Sequence, residues 1–226
     1  MGERLRLAVF ISGGGTNMQA ILDACREPGF PAEVVTVVSN QPQAGGIDRA
    51  RRAGVPVEVV PHRDFKTRGE HEAEILRRVS RVHPEVAVLA GYLRVVTGVL
   101  LGGFPGRGGL PGVINIHPAD TRAYQGVQGY EFALGLVPGS RRLEETRITV
   151  HFVDSGVDTG PIIAQARLRV EPDDTLESLK TRGLELEHRL YPAVIRWLAE
   201  DRVRLSGRQV TVDGAPVVWE GGSSWQ

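Results

Sequence analysis

The chain has 226 residues, 27 Lys plus Arg against 27 Asp plus Glu, and a formal net charge of zero. That length suits one large α/β domain or two small ones with a substantial core, and the charge balance argues against a general binder of nucleic acid or membrane surfaces. A single cysteine, Cys25, excludes an intrachain disulfide, no Cys/His cluster has zinc spacing, and no apolar run approaches the ~18 residues of a membrane span, so a soluble, cytoplasmic protein without a metal is expected.

Leu5 to Ile11 is a short apolar run that predicts a buried first strand. Ser12-Gly13-Gly14-Gly15-Thr16-Asn17 follows, and Met18 to Ala24 has a helical pattern. Strand, glycine loop and helix in that order direct backbone N–H groups and the positive end of a helix dipole at an anion. Gly14, Gly15, Thr16 and Asn17 are therefore expected around a phosphate, with Thr16 or Asn17 capping the helix. The plain alternative is a tight turn that needs glycine only for its conformation. A dinucleotide site wants a third glycine and an acid at the end of the second strand. Here Met18 holds the third position, and Val34 to Val38 runs into Ser39-Asn40. A lone phosphate fits better than a pyrophosphate.

Gly46 to Ala53 reads as a short helix, and Val55 to Val60 as a third strand interrupted by Pro56 and so near a sheet edge. Arg68 reads either as a solvated charge or as a phosphate contact, ahead of a helix over about Gly69–Val82 with Ile75, Leu76 and Val79 on one face. No pattern separates His62, His71 and His83 from surface histidines. Glu85 to Ala90 is a fourth strand, with Gly91 to Val96 at its mouth and a Gly/Pro-rich loop over Leu101–Gly112. In Val113-Ile114-Asn115-Ile116-His117-Pro118, two polar residues interrupt a β-branched run at a spacing of two, so both project from one face of a strand that Pro118 stops. Ligands of open α/β sheets bind at such strand ends. The alternative is that both residues satisfy local backbone groups. The alternation of strands and helices to this point predicts an α/β, doubly wound, mostly parallel sheet.

The second half changes character. Ala119 to Gly129 is an irregular loop, Tyr130 to Leu136 a short helix, and Arg147 to Val153 an alternating strand that contains His151. Asp154 to Pro161 is a turn-rich acidic loop before the strand Ile162–Val170; alone it also reads as a plain hairpin. Asp173 or Asp174 caps a long helix to about Ala199 that carries Glu187 and His188. Val203 to Val218 suggests a hairpin around Asp213-Gly214, with a frayed tail from Trp219 to Gln226.

Taken together, these residues resemble the folate-dependent glycinamide ribonucleotide formyltransferases of purine biosynthesis. Ile11 to Asn17 resembles that family's phosphate loop, Ala90-Gly91-Tyr92-Leu93-Arg94 its folate-pocket strand end, and Asn115-Ile116-His117-Pro118 its catalytic motif. His151-Phe152-Val153 with Asp158-Thr159-Gly160-Pro161-Ile162-Ile163, and Glu187-His188 before Tyr191-Pro192, resemble its later motifs. The resemblance implies a Rossmann-like formyltransferase fold in one domain: a phosphate-binding half (about 1–112), a catalytic and folate-binding half (about 113–203), and a C-terminal hairpin and tail (about 203–226). It implies formyl transfer from 10-formyltetrahydrofolate to the amine of phosphoribosylglycinamide through a tetrahedral oxyanion. Asn115 would bind the formyl oxygen, a protonated His117 would stabilise the oxyanion, and Asp158 would favour the imidazolium and assist proton transfer. Arg68 would join the phosphate contacts, Glu187 would meet the acceptor, and the pterin would lie near Leu93, Arg94 and Val95 and against Asp154, Val157 and Asp158. Expected partners are these two small molecules, with a homodimer left open.

One departure bears on the acceptor. After His-Pro that family usually runs Ser-Leu-Leu-Pro and then Pro-Gly, whereas this chain has Ala119-Asp120-Thr121-Arg122 and then Tyr124-Gln125-Gly126. A related formyltransferase acting on an amino sugar nucleotide is therefore the alternative within the class. A non-catalytic nucleotide-binding module is the alternative outside it.

Overall fold

Strand β1 (Leu5–Ile11) is buried at every residue but Arg6 in the computed structural model, which describes residues 3–219. Around it follow α1 (Thr16–Arg26), β2 (Ala32–Ser39), α2 (Gly46–Arg52), β3 (Val57–Val59), α3 (Arg68–Val79), β4 (Val86–Leu89) and a one-turn α4 (Gly98–Leu101). Then come β5 (Val113–His117), α5 (Gly129–Ala133), β6 (Glu145–Phe152), β7 (Ile162–Arg169), the long α6 (Leu176–Ala199), β8 (Val203–Ser206), β9 (Gln209–Val212) and β10 (Val217–Trp219). The main sheet has eight strands in the order β10-β7-β6-β5-β4-β1-β2-β3. Every neighbouring pair is parallel except the two that involve β6, so one reversed strand sits in an otherwise parallel, helix-covered sheet. The expected α/β, mostly parallel fold is the one observed. Pro56 lacks an N–H, and β3 beside it takes the outer position.

Two apolar layers flank the sheet. Leu7, Val9, Ile114 and Ile116 pack with Ile21 of α1 and Leu190 and Val194 of α6. Ala8, Phe10, Leu89 and Val113 pack on the other side with Ile75 and Val79 of α3. Across β5 and β6, the apolar residues Ile114, Ile116, Val150 and Phe152 all belong to the layer containing α6. Their alternates form a polar row on the opposite face: Asn115 lies across from His151, His117 across from Thr149, and Thr149 in turn across from Gln165. Period-two alternation thus gives this half of the sheet one apolar and one chemical face.

Helix α6 starts at Thr175, whose hydroxyl caps Ser178 N–H while the Ser178 hydroxyl returns the bond to Thr175 N–H. This corrects the expected cap at Asp173 or Asp174. Asp174 instead accepts from Glu171 N–H at 2.8 Å and Ser178 Oγ at 2.7 Å, shaping the turn before the helix. Tyr191 of α6 is wholly buried, and its hydroxyl lies 3.1 Å from the carbonyls of both Leu89 and Ile114, tying the helix to β4 and β5.

The C-terminal hairpin is also corrected. β8 and β9 turn at Gly207, whose φ of 59° supplies the left-handed step. Asp213-Gly214 forms a second tight turn that closes Val212 on Ala215, after which the chain joins the main sheet as β10 beside β7. The turn signal was real, but it marks an exit from the hairpin. Trp219, expected in a frayed tail, has its backbone at the end of β10; the rest of that expected tail lies outside the described residues.

His71 is not a surface histidine. It is 1% exposed, and its Nε2 donates to Val60 O at 2.9 Å. Burial pushes its imidazole below the ordinary 6.5, with Arg94 and His62 adding to the effect and the Val60 carbonyl opposing it. Burial lowers His117 and His188 likewise. A group with a depressed basic pKa binds its proton more readily in the unfolded chain, so its stability contribution is complete above about pH 6.5 and is lost as pH falls toward the folded value. Thermal melts should drop between about pH 7 and pH 5. The drop should be smaller in His71→Gln, whose amide can keep the Val60 bond; equal drops would contradict this role.

Candidate active site

The glycine loop is held open by the next helix. Gly15, at φ 71°, is the N-cap of α1, and no side chain caps the helix, which corrects the expected Thr16 or Asn17 cap. Gly46 of α2 donates to Gly13 O at 3.0 Å, and a Cβ on Gly15 would stand 2.9 Å from Gly46 Cα, so two glycines permit this approach. Arg49 Nε fixes the Gly14 carbonyl at 3.0 Å. Gly14 and Thr16 are exposed, Gly15 is half-buried, and the first turn of α1 holds no acidic residue. An uncapped helix start of this kind offers its first N–H groups and its dipole to an anion.

Asn17 turns inward from that start. Its Nδ2 donates to Glu187 Oε2 at 2.5 Å, and Tyr130 OH donates to Glu187 Oε1 at 2.5 Å. Glu187 is 5% exposed, and burial raises its carboxyl against the pull of those two donors. Asn17 Oδ1 is buried with no protein partner. The trio joins α1, α5 and α6 at one end of a cavity of 730 Å3.

Asn115, His117 and His151 of the polar row line the same cavity. Asn115 Nδ2 donates to Asp158 Oδ1 at 3.1 Å and lies 3.3 Å from His151 Nε2. His117 Nδ1 is 3.5 Å from Asp158 Oδ2, and His151 Nε2 is 3.4 Å from Asp158 Oδ1. Gly126 N–H donates to Asp158 Oδ2 at 2.8 Å, bringing in the loop after β5. These contacts hold Asp158 at a φ of 51°, which costs energy for a side-chain-bearing residue. Burial alone would raise its carboxyl, but the His151 hydrogen bond, the His117 ring and the Gly126 N–H outweigh that and hold it below the ordinary carboxylate range. For His117 burial is the largest effect and outweighs the Asp158 carboxylate, so the imidazole is lowered from its ordinary value. With Nδ1 facing a carboxylate, the proton belongs on Nδ1, and Nε2 is left buried and unpartnered in a residue that lines the cavity.

Leu93, Arg94, Val95 and Val157 form another wall, and Leu93, Val95 and Val157 are exposed apolar side chains. The wall is tied to the glycine loop: Ser12 Oγ donates to Asn40 Oδ1 at 2.6 Å and accepts from Leu93 N–H at 2.9 Å. Buried Glu72 of α3 braces its far end, accepting from Thr97 N–H at 2.8 Å and Leu100 N–H at 3.0 Å.

The structure therefore brings together Asn17, Asn115, His117, Asp158, Glu187, Leu93, Arg94, Val95 and Val157 around one cavity. Five expected residues do not line it: Gly14, Gly15 and Thr16 sit just ahead of Asn17 at the start of α1, and Arg68 and Asp154 stand apart. Arg68 is exposed at the first position of α3 and does not line the cavity. The Asp154 carboxylate accepts from Gly156 N–H at 3.1 Å and Thr159 Oγ1 at 2.5 Å in its own loop and pairs with Arg208 of the β8–β9 turn at 3.4 Å. His151, Tyr130 and Ser12 were missed as site residues. Only His151 carried a local signal, a polar interruption in an alternating strand.

The chain belongs to the formyl transferase family, whose model matches residues 5–195. It is 35% identical over 209 residues to a phosphoribosylglycinamide formyltransferase of Haemophilus influenzae, covering 92% of this chain and 94% of that protein. It is 38% identical over 206 residues to the trifunctional purine biosynthetic protein adenosine-3 of Drosophila melanogaster, which is 90% of this chain but 14% of that longer protein. Among solved structures, glycinamide ribonucleotide transformylase 1 from Symbiobacterium toebii superposes with a TM-score of 0.85 at 41% identity, covering 94% of this chain and 95% of that one.

Proposed function

We propose that this protein transfers the formyl group of 10-formyltetrahydrofolate to the amine of phosphoribosylglycinamide. The observation that carries the reading is the unpartnered Nε2 of an Asp158-paired His117, set beside Asn115 in a cavity that reaches the uncapped start of α1. The acceptor's phosphate sits at Gly14, Gly15, Thr16 and the α1 amides, and Glu187 meets the acceptor next to Asn17. The folate lies along Leu93, Arg94, Val95 and Val157, whose exposed apolar surface suits a planar ring. Because Asn17 of the first half holds Glu187 of the second, the two halves act as one unit.

The chemistry is direct attack. As the acceptor nitrogen bonds to the formyl carbon, Asn115 donates to the developing oxyanion, and His117 Nε2 takes the amine proton. The resulting imidazolium is stabilised by Asp158 through Nδ1–H. The same proton then passes to the departing folate nitrogen as its bond to the formyl carbon breaks. The proton lost by the amine is the one gained by the leaving group.

The test is an acceptor panel with 10-formyltetrahydrofolate as donor. Formylated phosphoribosylglycinamide, detected by mass spectrometry, is expected, while amino sugar nucleotides stay unmodified; the opposite pattern would overturn the acceptor assignment. Ser12→Ala removes the hydroxyl that holds the donor wall to the glycine loop. The expected result is a KM for the folate about 2–10-fold higher with little change in kcat. An unchanged KM would show that the wall is positioned without Ser12.

A further inference from the structure

Helix α6 sends three residues into the cavity at helical spacing: Lys180, Leu184 and Glu187. Positions i, i+4 and i+7 lie on one helix face. A rise of about 1.5 Å per residue puts the Lys180 backbone roughly 10 Å along the helix from Glu187. Glu187 marks the acceptor end because it holds Asn17 in the first turn of α1.

Among the described residues, two Lys or Arg side chains line this cavity, Arg94 and Lys180. Arg94 belongs to the donor wall, where it acts electrostatically on His71 and Tyr92. Lys180 acts electrostatically on Glu187, and among the described residues it has no hydrogen-bond or ion-pair partner. The other cations near the glycine loop are otherwise placed. Arg49 is bonded to Gly14 O from behind, and Arg68 lies outside the cavity. A phosphate monoester carries close to two negative charges, and a helix start supplies only about half a charge. A buried carboxylic side chain, Glu187, stands nearby. The exposed Lys180 ammonium, on the same helix face as Glu187, is the cation left to supply the rest. A ligand is independently indicated by Asn17 Oδ1, an unpartnered acceptor on a residue 7% exposed that lines the cavity.

We propose that Lys180 is the side-chain cation for the acceptor's phosphate and sets the preference for phosphorylated over unphosphorylated amines. The inference rests on the formyl-transfer reading and assigns it a specificity residue. Lysine suits the task because its three donors on a flexible stem can follow a tetrahedral oxyanion group as a point charge.

The experiment compares wild type, Lys180→Met and Lys180→Arg with phosphoribosylglycinamide and with its dephosphorylated nucleoside, and measures inorganic phosphate binding by calorimetry. In Lys180→Met the KM for the phosphorylated acceptor should rise about 10-fold or more. The KM for the nucleoside and for the folate should stay put, and phosphate binding should weaken in parallel. Lys180→Arg should recover most of the loss. An unchanged KM for the phosphorylated acceptor, or equal losses on both acceptors, would overturn the assignment. If wild type formylates neither acceptor, the formyl-transfer reading fails, and the calorimetry still decides whether Lys180 holds phosphate.

Discussion

His117→Ala is expected to lower the rate of formyl transfer by about 10²–10⁴-fold, the range for loss of a positioned acid–base group. The imidazole lines the cavity with its Nε2 buried and unpartnered and has a carboxylate 3.5 Å from its Nδ1. Binding of the folate should survive, because the donor wall from Leu93 to Val95 is braced by Ser12 and Glu72 and does not lean on His117. The signature is therefore a collapse of kcat with the folate dissociation constant nearly unchanged. His117→Asn should be as impaired, since an amide can donate but cannot accept and return a proton. A His117→Ala protein that keeps wild-type kcat would remove His117 from the mechanism.

Asn115→Ala is the second large effect, expected to cost about 10²–10³-fold in kcat, as for loss of an oxyanion donor elsewhere. Some activity should remain because the proton route through His117 is intact. Asn115→Asp should be worse than the alanine variant. It replaces a donor 3.1 Å from Asp158 Oδ1 with a second carboxylate. Two carboxylates that close cannot both ionise easily, so the Asp158 carboxyl would be pushed up and would stop supporting the His117 imidazolium. Steady-state kinetics of the two variants check the order; an alanine variant slower than the aspartate variant would contradict it.

Much of this site was legible because it lies on one strand. The two-residue spacing of Asn115 and His117 places both on one face from pattern alone, and the apolar residues around them identify the face that packs on α6. The glycine loop was equally local. Its cap was misjudged because Gly15 takes the left-handed conformation itself and leaves no role for the side chains after it. What was hidden depends on register and long-range packing. His151 becomes a neighbour of Asn115 only once β6 pairs antiparallel with β5. The Asn17–Glu187 bond spans 170 residues and needs α1 and α6 to share one side of the sheet. The direction of the His117 shift also required the structure. An adjacent carboxylate was readable from the resemblance, whereas the burial that outweighs it was not. Asp154 and Arg68 are expected site residues that do not line the cavity. The Asp154 carboxylate is held by Thr159 of its own loop and by Arg208 of the turn between β8 and β9, and Arg68 is exposed at the first position of α3.

The most direct measurement is the ultraviolet absorbance of 10-formyltetrahydrofolate mixed with the purified protein, followed with and without phosphoribosylglycinamide. Rapid deformylation that requires the acceptor, and that is lost in His117→Ala, is the expected result. Deformylation at the same rate without the acceptor would mean that water is the nucleophile and would contradict the transfer reaction.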